Sequence, residues 1–367
     1  KNFHPKQKKL SLLDPAVGAG AFIPQLLRLV DDCEDISITC VDISKDCIKI
    51  LKNLLKMLDV SSRITFHFLV GNTLLMPLNS HYDAVVCNPP YFKLTASEKA
   101  QYRPIFPTTN DNIFCLFLKR LLTLSNEIMV VIPKIFLMVP DCNDIRKQFE
   151  DLFSIVSIED YGISFFNHVF IEIISIHFKK DYTDLIYITN HAENKVFTAP
   201  QKYIYHDRIW LLYRDSWFDD YISSLKLNVF DFYKDRQLTN KYLTTQKKRI
   251  WVLRSKNLQD DGKIIHIKNY DKYIDSLEGF TLNKYLNKSP IIFVNFTYNT
   301  RAAYLPDNCI VNGSFCLLFP KIEGISVPLS FFSSLDFRHY YAIVKNYSKF
   351  TINVDRNTIY YIGVPKK

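Results

Sequence analysis

Short apolar runs alternate with amphipathic stretches along the first 185 residues of the chain. Runs of about four to eight apolar residues are typical of buried strands, and apolar positions three and four apart are typical of helices. The pattern predicts strands at 10–13, 36–41, 65–70, 82–87, 127–132, 155–160 and 169–178. It predicts helices after Gly20 and at 45–58, 112–124 and 145–152. This alternation predicts an α/β fold with a mostly parallel central sheet.

Four of the predicted strands end on polar residues. Asp14, Asp42, Asn72 and Asn88 come at the ends of the first four strands. In open α/β sheets the ligand crevice lies outside the carboxyl ends of the strands. The sequence therefore predicts a ligand site at this edge of the sheet.

The first turn is rich in glycine, although the whole chain contains only nine glycines. The run from Asp14 to Gly20 reads DPAVGAG and lies between a predicted strand and a predicted helix. This is typical of the first unit of a doubly wound sheet, where the backbone approaches a ligand closely. The run is not GxGxxG, which favours a cofactor without a pyrophosphate.

Asp42 stands 22 residues after Gly20. A carboxylate about 20 residues after the glycine turn commonly binds ribose hydroxyls in such folds. The alternative is that Asp42 caps the amino terminus of the helix at 45–58.

The sequence Asn88-Pro89-Pro90-Tyr91 follows the fourth predicted strand. Two prolines cannot continue a sheet ladder, so the strand must stop there. The Asn88 amide oxygen and the Pro89 carbonyl can accept hydrogens from an exocyclic amino group, and Tyr91 can stack on the base that carries it. Acceptors outside the ring plane favour a pyramidal nitrogen whose lone pair points at an electrophile. The alternative is an ordinary turn, because Asn-Pro dipeptides often mark turns.

The second half of the chain is basic. It contains 26 of the 46 basic residues but only 16 of the 37 acidic residues, so 186–367 has a net charge of +10. An excess of this size indicates contact with a polyanion, or else a solvated basic surface without a partner.

Cysteine and histidine usage excludes several classes of protein. The eight cysteines form no CxxC pair and the nine histidines form no HExxH motif, so we expect no metal. Reduced thiols are typical of a cytoplasmic protein. The longest apolar run, 128–140, is interrupted by Lys134 and is too short to span a bilayer, and no signal peptide is evident, so we expect no membrane contact.

Together these motifs resemble the DNA amino-methyltransferases that use S-adenosyl-L-methionine, specifically the gamma-class adenine-N6 enzymes of restriction–modification systems. The run DPAVGAG resembles their first cofactor motif, and Asp42 matches their ribose-binding carboxylate. Asn88 to Tyr91 matches the adenine-type form of their (N/D/S)PP(Y/F/W) catalytic motif.

The resemblance implies specific site residues. The catalytic residues would be Asn88, Pro89, Pro90 and Tyr91. The cofactor would contact Asp14, Pro15, Ala16, Gly18, Gly20, Asp42, Ile43, Asn72, Thr73, Asn88 and Phe117. Tyr91 and Phe166 would stack on a flipped-out adenine. For Phe166 the alternative is a core aromatic, since the chain has 28 phenylalanines.

Two departures from the family pattern affect the cofactor. The third motif usually provides aspartate to the cofactor adenine, whereas this chain has Asn72, which keeps a carbonyl acceptor but loses the charge. We therefore expect weaker binding. The family also has a segment ahead of the first motif that closes the pocket. Only thirteen residues precede Asp14, so we expect that segment to be absent here.

The resemblance also implies a domain organisation and partners. Residues 1–185 would be the S-adenosylmethionine-binding catalytic domain, 186–235 a connector and 236–367 an α+β target-recognition domain. Basic residues interleaved with Tyr and Asn in the last region suit phosphate contacts and base reading. The partners would be double-stranded DNA and a cognate restriction endonuclease, without a metal or a covalent enzyme intermediate.

Three alternatives remain open. Methylation of cytosine N4 uses the same chemistry, although those enzymes more often have serine at the position of Asn88. Release-factor glutamine methyltransferases share the Asn-Pro-Pro-Tyr motif but lack a basic domain downstream. The third alternative is a catalytically silent DNA-binding subunit, against which the intact Asp14, Asp42 and Asn88 argue.

Overall fold

The computed structural model describes residues 9–29, 34–58, 60–78, 81–107, 110–163, 170–294, 299–349 and 354–366. The chain divides into two compact units, Lys1–Asp207 (unit 1) and Arg208–Lys367 (unit 2). Phe166, which is predicted to stack on the target base, lies outside the described residues.

Unit 1 contains a nine-stranded sheet flanked by helices. The sheet strands are β1 (Lys9–Asp14), β2 (Asp35–Asp42), β3 (Ile64–Val70), β4 (Ala84–Cys87), β5 (Glu127–Pro133), β6 (Ser154–Gly162), β7 (Ile173–Lys179), β8 (Leu185–Asn190) and β9 (Lys195–Pro200). The helices are α1 (Ile23–Leu29), α2 (Lys45–Met57), α3 (Ala96–Tyr102), α4 (Ile113–Leu121), α5 (Asn143–Leu152) and α6 (Gln201–Ile204). A two-residue strand, β10 (Tyr205–His206), follows α6.

The strand order of the sheet is β3-β2-β1-β4-β5-β7-β6-β8-β9. Strands β1 to β5 are parallel, whereas β7 runs antiparallel between β5 and β6, and β9 runs antiparallel to β8. The predicted α/β fold with a mostly parallel sheet is confirmed. The chain moves outward from β1 to β3 and returns to β4 on the other side of β1. The switch point, where ligands bind in such folds, therefore lies between β1 and β4.

The core explains why these residues form these strands. All four residues of β4 are buried, as expected for a strand covered on both faces of a parallel sheet. Ile48 and Leu51 of α2 pack into the same apolar cluster as Leu12, Ile38 and other residues of β1, β2 and β4. Burial of this helix face holds the carboxyl ends of the central strands in place.

Helix α3 and the segment predicted to be a connector differ from what the sequence predicts. Helix α3 was not predicted, although a capping box between Thr95 and Glu98 marks its start. The connector predicted at 186–235 is not a separate segment. Strands β8 and β9 within it extend the sheet of unit 1, because Ile186 and Ile188 alternate with exposed neighbours and bury one face of β8.

Unit 2 is an α+β arrangement of small sheets. Its strands are β11 (Ile209–Trp210), β12 (Leu225–Lys226), β13 (Phe230–Tyr233), β14 (Ile250–Leu253), β15 (Lys272–Ile274), β16 (Ile291–Val294), β17 (Arg301–Tyr304), β18 (Cys309–Val311), β19 (Cys316–Pro320) and β20 (Val364–Pro365). Its helices are α7 (Ser216–Ser223) and α8 (Leu335–Val344). Strands β13-β19-β16-β17 form one antiparallel sheet and β15-β14-β18 form another sheet. Val252 of β14, Ile292 of β16 and Leu317 of β19 share one core.

Candidate active site

Two glycines shape the turn after β1. Gly18 has a φ of +54° and Gly20 a φ of +91°, which L side chains adopt only with strain. A Cβ atom on Gly20 would lie 2.5 Å from Leu51 Cδ1 in the core, whereas a Cβ atom on Gly18 would meet no atom of the described residues within 4 Å. Gly20 therefore allows the turn to pack on α2, and Gly18 faces space that a ligand can enter.

Asp42, the last residue of β2, connects three loops. Its Oδ2 accepts a hydrogen bond from the Gly18 amide at 2.8 Å, and its Oδ1 accepts one from the Ser44 amide at 2.8 Å. Its backbone carbonyl accepts from the Gly71 amide at 2.9 Å. The helix cap is Ser44, whose hydroxyl accepts from the Cys47 amide, so the alternative that Asp42 caps α2 is wrong. A carboxylate has about four acceptor positions, which leaves capacity for ribose hydroxyls.

Residues after β3 join the same edge. The Thr73 hydroxyl donates to the Pro15 carbonyl, which links the third loop to the glycine turn. Asn72 Oδ1 accepts from the Leu74 amide at 3.0 Å, and its Nδ2 donates to the Tyr102 hydroxyl at 3.0 Å. Asn72 keeps a carbonyl acceptor, but one of its lone pairs is already used by the protein.

Asp14 is a buried carboxylate at the end of β1, with 1% of its surface exposed. The Ala16 amide donates to its Oδ1 at 3.2 Å, while its Oδ2 has no hydrogen-bond partner among the described residues. Burial raises its pKa to about 7, the Ala16 hydrogen bond opposes this rise, and the charge of Asp42 adds to it. A buried carboxyl oxygen without a partner fits a positively charged ligand.

The charge of Asp14 also acts on the neighbouring strands. Burial is the main cause of the raised pKa values of Cys40 in β2 and Cys87 in β4, and the charge of Asp14 raises both further. Strand pairing places Leu13 opposite Val85, so Asp14 lies close to the end of β4, where Asn88 follows directly. The glycine turn, Asp42 and the Asn-Pro-Pro-Tyr turn meet at the switch point of the sheet.

The Asn-Pro-Pro-Tyr turn is anchored to β5 and α4. Asn88 is half-buried and Pro89 is buried. The Tyr91 hydroxyl lies 2.7 Å from the Val131 carbonyl and also contacts Asn88 Oδ1. The Tyr91 ring meets Phe114 edge-on, with ring centres 6.5 Å apart. These contacts hold the turn in one conformation.

Ile43 and Phe117, both predicted to contact the cofactor, differ in the exposed fraction of their side chains. The side chain of Ile43, directly after Asp42, is 72% exposed and offers an apolar surface to a flat ring. Phe117 on α4 is only 6% exposed, so little of its ring is open to a ligand. Its contact with the cofactor remains a prediction.

Two contacts at this edge of the sheet are not predicted by the sequence analysis. Tyr102 on α3 holds the Asn72 amide, and the capping box at the start of α3 was the available signal. Lys134 pairs with Asp160 at 2.6 Å, and both side chains are 4% exposed. An unpaired buried charge costs about 3–5 kcal/mol, so this pair links the ends of β5 and β6 firmly. No motif in the sequence indicated that these two residues would meet.

The described residues show neither a metal-binding cluster nor a membrane-spanning helix. In the described ranges, no three His, Cys, Asp or Glu side chains cluster in a way that would hold a metal ion. No helix in that part of the chain has both the length and the apolar character needed to cross a membrane.

Replacing Asp14 by asparagine should change how stability depends on pH. The folded-state pKa of about 7 exceeds the ordinary 3.8, so the stabilisation that Asp14 provides is complete below about pH 4 and is lost as the pH rises through 7. We expect Asp14→Asn to match the unaltered protein near pH 4 and to melt at a higher temperature near pH 8. Thermal unfolding followed by circular dichroism at several pH values measures this. If the melting temperatures of the two proteins changed with pH in parallel, the raised pKa of Asp14 would be contradicted.

Comparisons with known proteins support this description of the fold. Residues 38–170 match the family described as Eco57I restriction-modification methylase. No curated protein matches the chain in sequence. The structure of the type IIL restriction-modification enzyme MmeI is similar with a TM-score of 0.55 at 12% identity, covering 86% of this chain and 57% of MmeI. The type IIG restriction endonuclease BpuSI gives a TM-score of 0.50 at 14% identity, covering 99% of this chain and 56% of BpuSI.

This chain thus spans little more than half the length of either enzyme. At these identities the similarity establishes the fold alone. In sequence, residues 38–170 match the Eco57I restriction-modification methylase family, and in fold the chain is similar to MmeI and BpuSI.

Proposed function

We propose that the chain transfers the methyl group of S-adenosyl-L-methionine to N6 of a flipped-out adenine in double-stranded DNA, as the modification activity of a type II restriction–modification system. The observation that carries this proposal is the position of the Asn-Pro-Pro-Tyr turn. Its two acceptors, on Asn88 and Pro89, follow the strand next to β1, whose own turn carries Asp14 and Gly18.

The residues of this edge fit the cofactor. Asp42 retains acceptor positions for ribose hydroxyls, and Ile43 offers an apolar surface for the adenine ring. Asp14 Oδ2, which has no hydrogen-bond partner in the part of the chain that the structure describes, suits a positively charged group. Gly18 leaves space for close approach. When bound, S-adenosylmethionine supplies an electrophilic methyl group on a positively charged sulfur.

The reaction requires help because an aromatic amine is a poor nucleophile, with its lone pair delocalised into the ring. Asn88 Oδ1 and the Pro89 carbonyl would accept the two amine hydrogens and hold them out of the ring plane. The nitrogen lone pair would then localise and point at the methyl carbon, which is stabilisation directed at the transition state. Positioning would provide much of the rate. A base inside a duplex cannot reach such a site, so it would have to leave the stack.

Unit 2 supports DNA as the substrate. It contains 24 basic and 14 acidic residues, a net charge of +10. Lys247, Lys248 and Arg249 are exposed immediately before β14, and Lys248 alone of these three forms an ion pair with a described residue, Asp275. Exposed cations that lack acidic partners suit phosphate contacts.

Aromatic rings accompany these cations. Trp251 stacks on His266 with ring centres 3.7 Å apart, and the Arg254 guanidinium lies 4.2 Å from the Tyr270 ring centre. Flat groups of this kind suit contacts with bases and sugars. MmeI is described in complex with DNA, and we extend that substrate class, together with a restriction endonuclease as partner, to this chain.

Replacing Asn88 by alanine should abolish most methyl transfer. Loss of one preorganised hydrogen-bonding group that acts in the transition state costs about 10²–10³ in rate. The measurement is transfer of tritiated methyl groups to mixed-sequence DNA at saturating cofactor. Asn53→Ala, on the exposed face of α2, is the matched control and should retain full activity. Near-full activity of Asn88→Ala would defeat the mechanism.

Removing two cations from unit 2 should weaken DNA binding in a salt-dependent way. Each phosphate contact contributes about 0.9 to the slope of log K against log salt concentration. We expect Lys247→Ala with Arg249→Ala to lower that slope by about two, measured by fluorescence anisotropy between low and physiological salt. Lys226→Ala, an exposed lysine on β12, is the control for general charge. An unchanged slope in the double variant would remove this segment from the DNA-binding surface.

A further inference from the structure

The Tyr91 hydroxyl in the Asn-Pro-Pro-Tyr turn faces two oxygen atoms. Tyr91 Oη lies 2.7 Å from the Val131 carbonyl oxygen and is also within hydrogen-bonding reach of Asn88 Oδ1. Burial raises the pKa of Tyr91, so the phenol is neutral and carries a single proton. That proton can be donated to only one of the two oxygens.

Of these two oxygen atoms, only the Val131 carbonyl oxygen is certain to be an acceptor at its position. Strand β4 pairs with β5 only as far as Cys87 opposite Val130, so Val131 is the first residue of β5 beyond the end of β4. A backbone carbonyl has no hydrogen to offer, whereas the Asn88 amide carries a donor and an acceptor that exchange places by a half-turn. If the phenol donates to Val131, the favourable amide orientation places Asn88 Nδ2, not Oδ1, against the phenol oxygen.

We propose that the Tyr91 hydroxyl is a positioning group that selects the orientation of the Asn88 amide. It accepts a hydrogen bond from Asn88 Nδ2 and donates one to the Val131 carbonyl. Asn88 Oδ1 is then turned away from Tyr91 and is available to the target amine. This inference rests on the proposed function and adds to it a role for the hydroxyl, separate from any stacking by the ring.

Contacts with α4 keep the Tyr91 hydroxyl between Asn88 and Val131. The Tyr91 ring meets Phe114 edge-on at an interplanar angle of 84°, and Phe114 is buried in α4. The next residue, Phe92, accepts a backbone hydrogen bond from the Ile113 amide at 3.0 Å, at the start of α4. Contacts with α4 therefore hold both the Tyr91 ring and the backbone at Phe92. From this position the Tyr91 hydroxyl reaches Val131 of β5.

Tyr91→Phe separates the two roles because it keeps the ring and removes only the hydroxyl. We expect the single-turnover methylation rate at saturating DNA and cofactor to fall about three- to tenfold, the range that one hydrogen bond controls, with unchanged dissociation constants for both. Tyr205→Phe is the matched control. It removes the hydroxyl of another tyrosine of unit 1, which is bonded to the Gln201 side-chain amide, and should leave the rate unchanged.

A second measurement reads the hydrogen bond directly. In protein labelled with ¹⁵N-asparagine, the Asn88 side-chain NH₂ signal is identified by its loss in N88D. Its exchange with solvent should be slow in the unaltered chain and at least severalfold faster in Y91F. An unchanged methylation rate or an unchanged exchange rate in Y91F would overturn the inference. Absence of DNA methylation by the unaltered chain would instead overturn the proposed function, and the exchange measurement would still decide the hydrogen bond.

Discussion

The carboxyl ends of β1, β2, β3 and β4 meet at one edge of the sheet, and the rest of the site depends on this constraint. Parallel pairing brings the ends together, and hydrogen bonds from the Gly18 amide to Asp42 and from the Thr73 hydroxyl to Pro15 join the loops that follow. Loops that are bonded to one another cannot move independently. A cofactor-binding surface and an amine-binding turn on this edge would therefore keep a fixed relative position, which a positioning mechanism requires.

Two buried polar groups at this edge show what the fold tolerates there. Asp14 keeps an oxygen without a partner among the described residues, although burying such a group is unfavourable by itself. The Tyr91 hydroxyl donates to the Val131 carbonyl, just beyond the last paired residues of β4 and β5. In the proposed function the first group meets a cation and the second orients an amide. The unfavourable burial of Asp14 would then have a counterpart in cofactor binding.

The sequence was most informative where local pattern and chemistry coincide. Apolar runs that end in Asp14, Asp42 and Asn88 predicted both the strands and the edge where they meet. The sequence was less informative where contacts between distant parts of the chain determine which residues meet. Nothing local showed that Asn72 would be bonded to Tyr102, or that Lys134 would pair with Asp160. Frequent Tyr and Trp and the interrupting Pro200 favour a connector over this part of the sequence, although Leu185–Asn190 has the period-two alternation of a strand.

The central claim is that this edge methylates the amino group of an adenine. The most direct measurement is to incubate unmodified genomic DNA with the chain and S-adenosylmethionine, and then to map modified bases by sequencing. We expect N6-methyladenine in one recurring sequence context. N4-methylcytosine in its place, or unmodified DNA under conditions where the cofactor is bound, would contradict it.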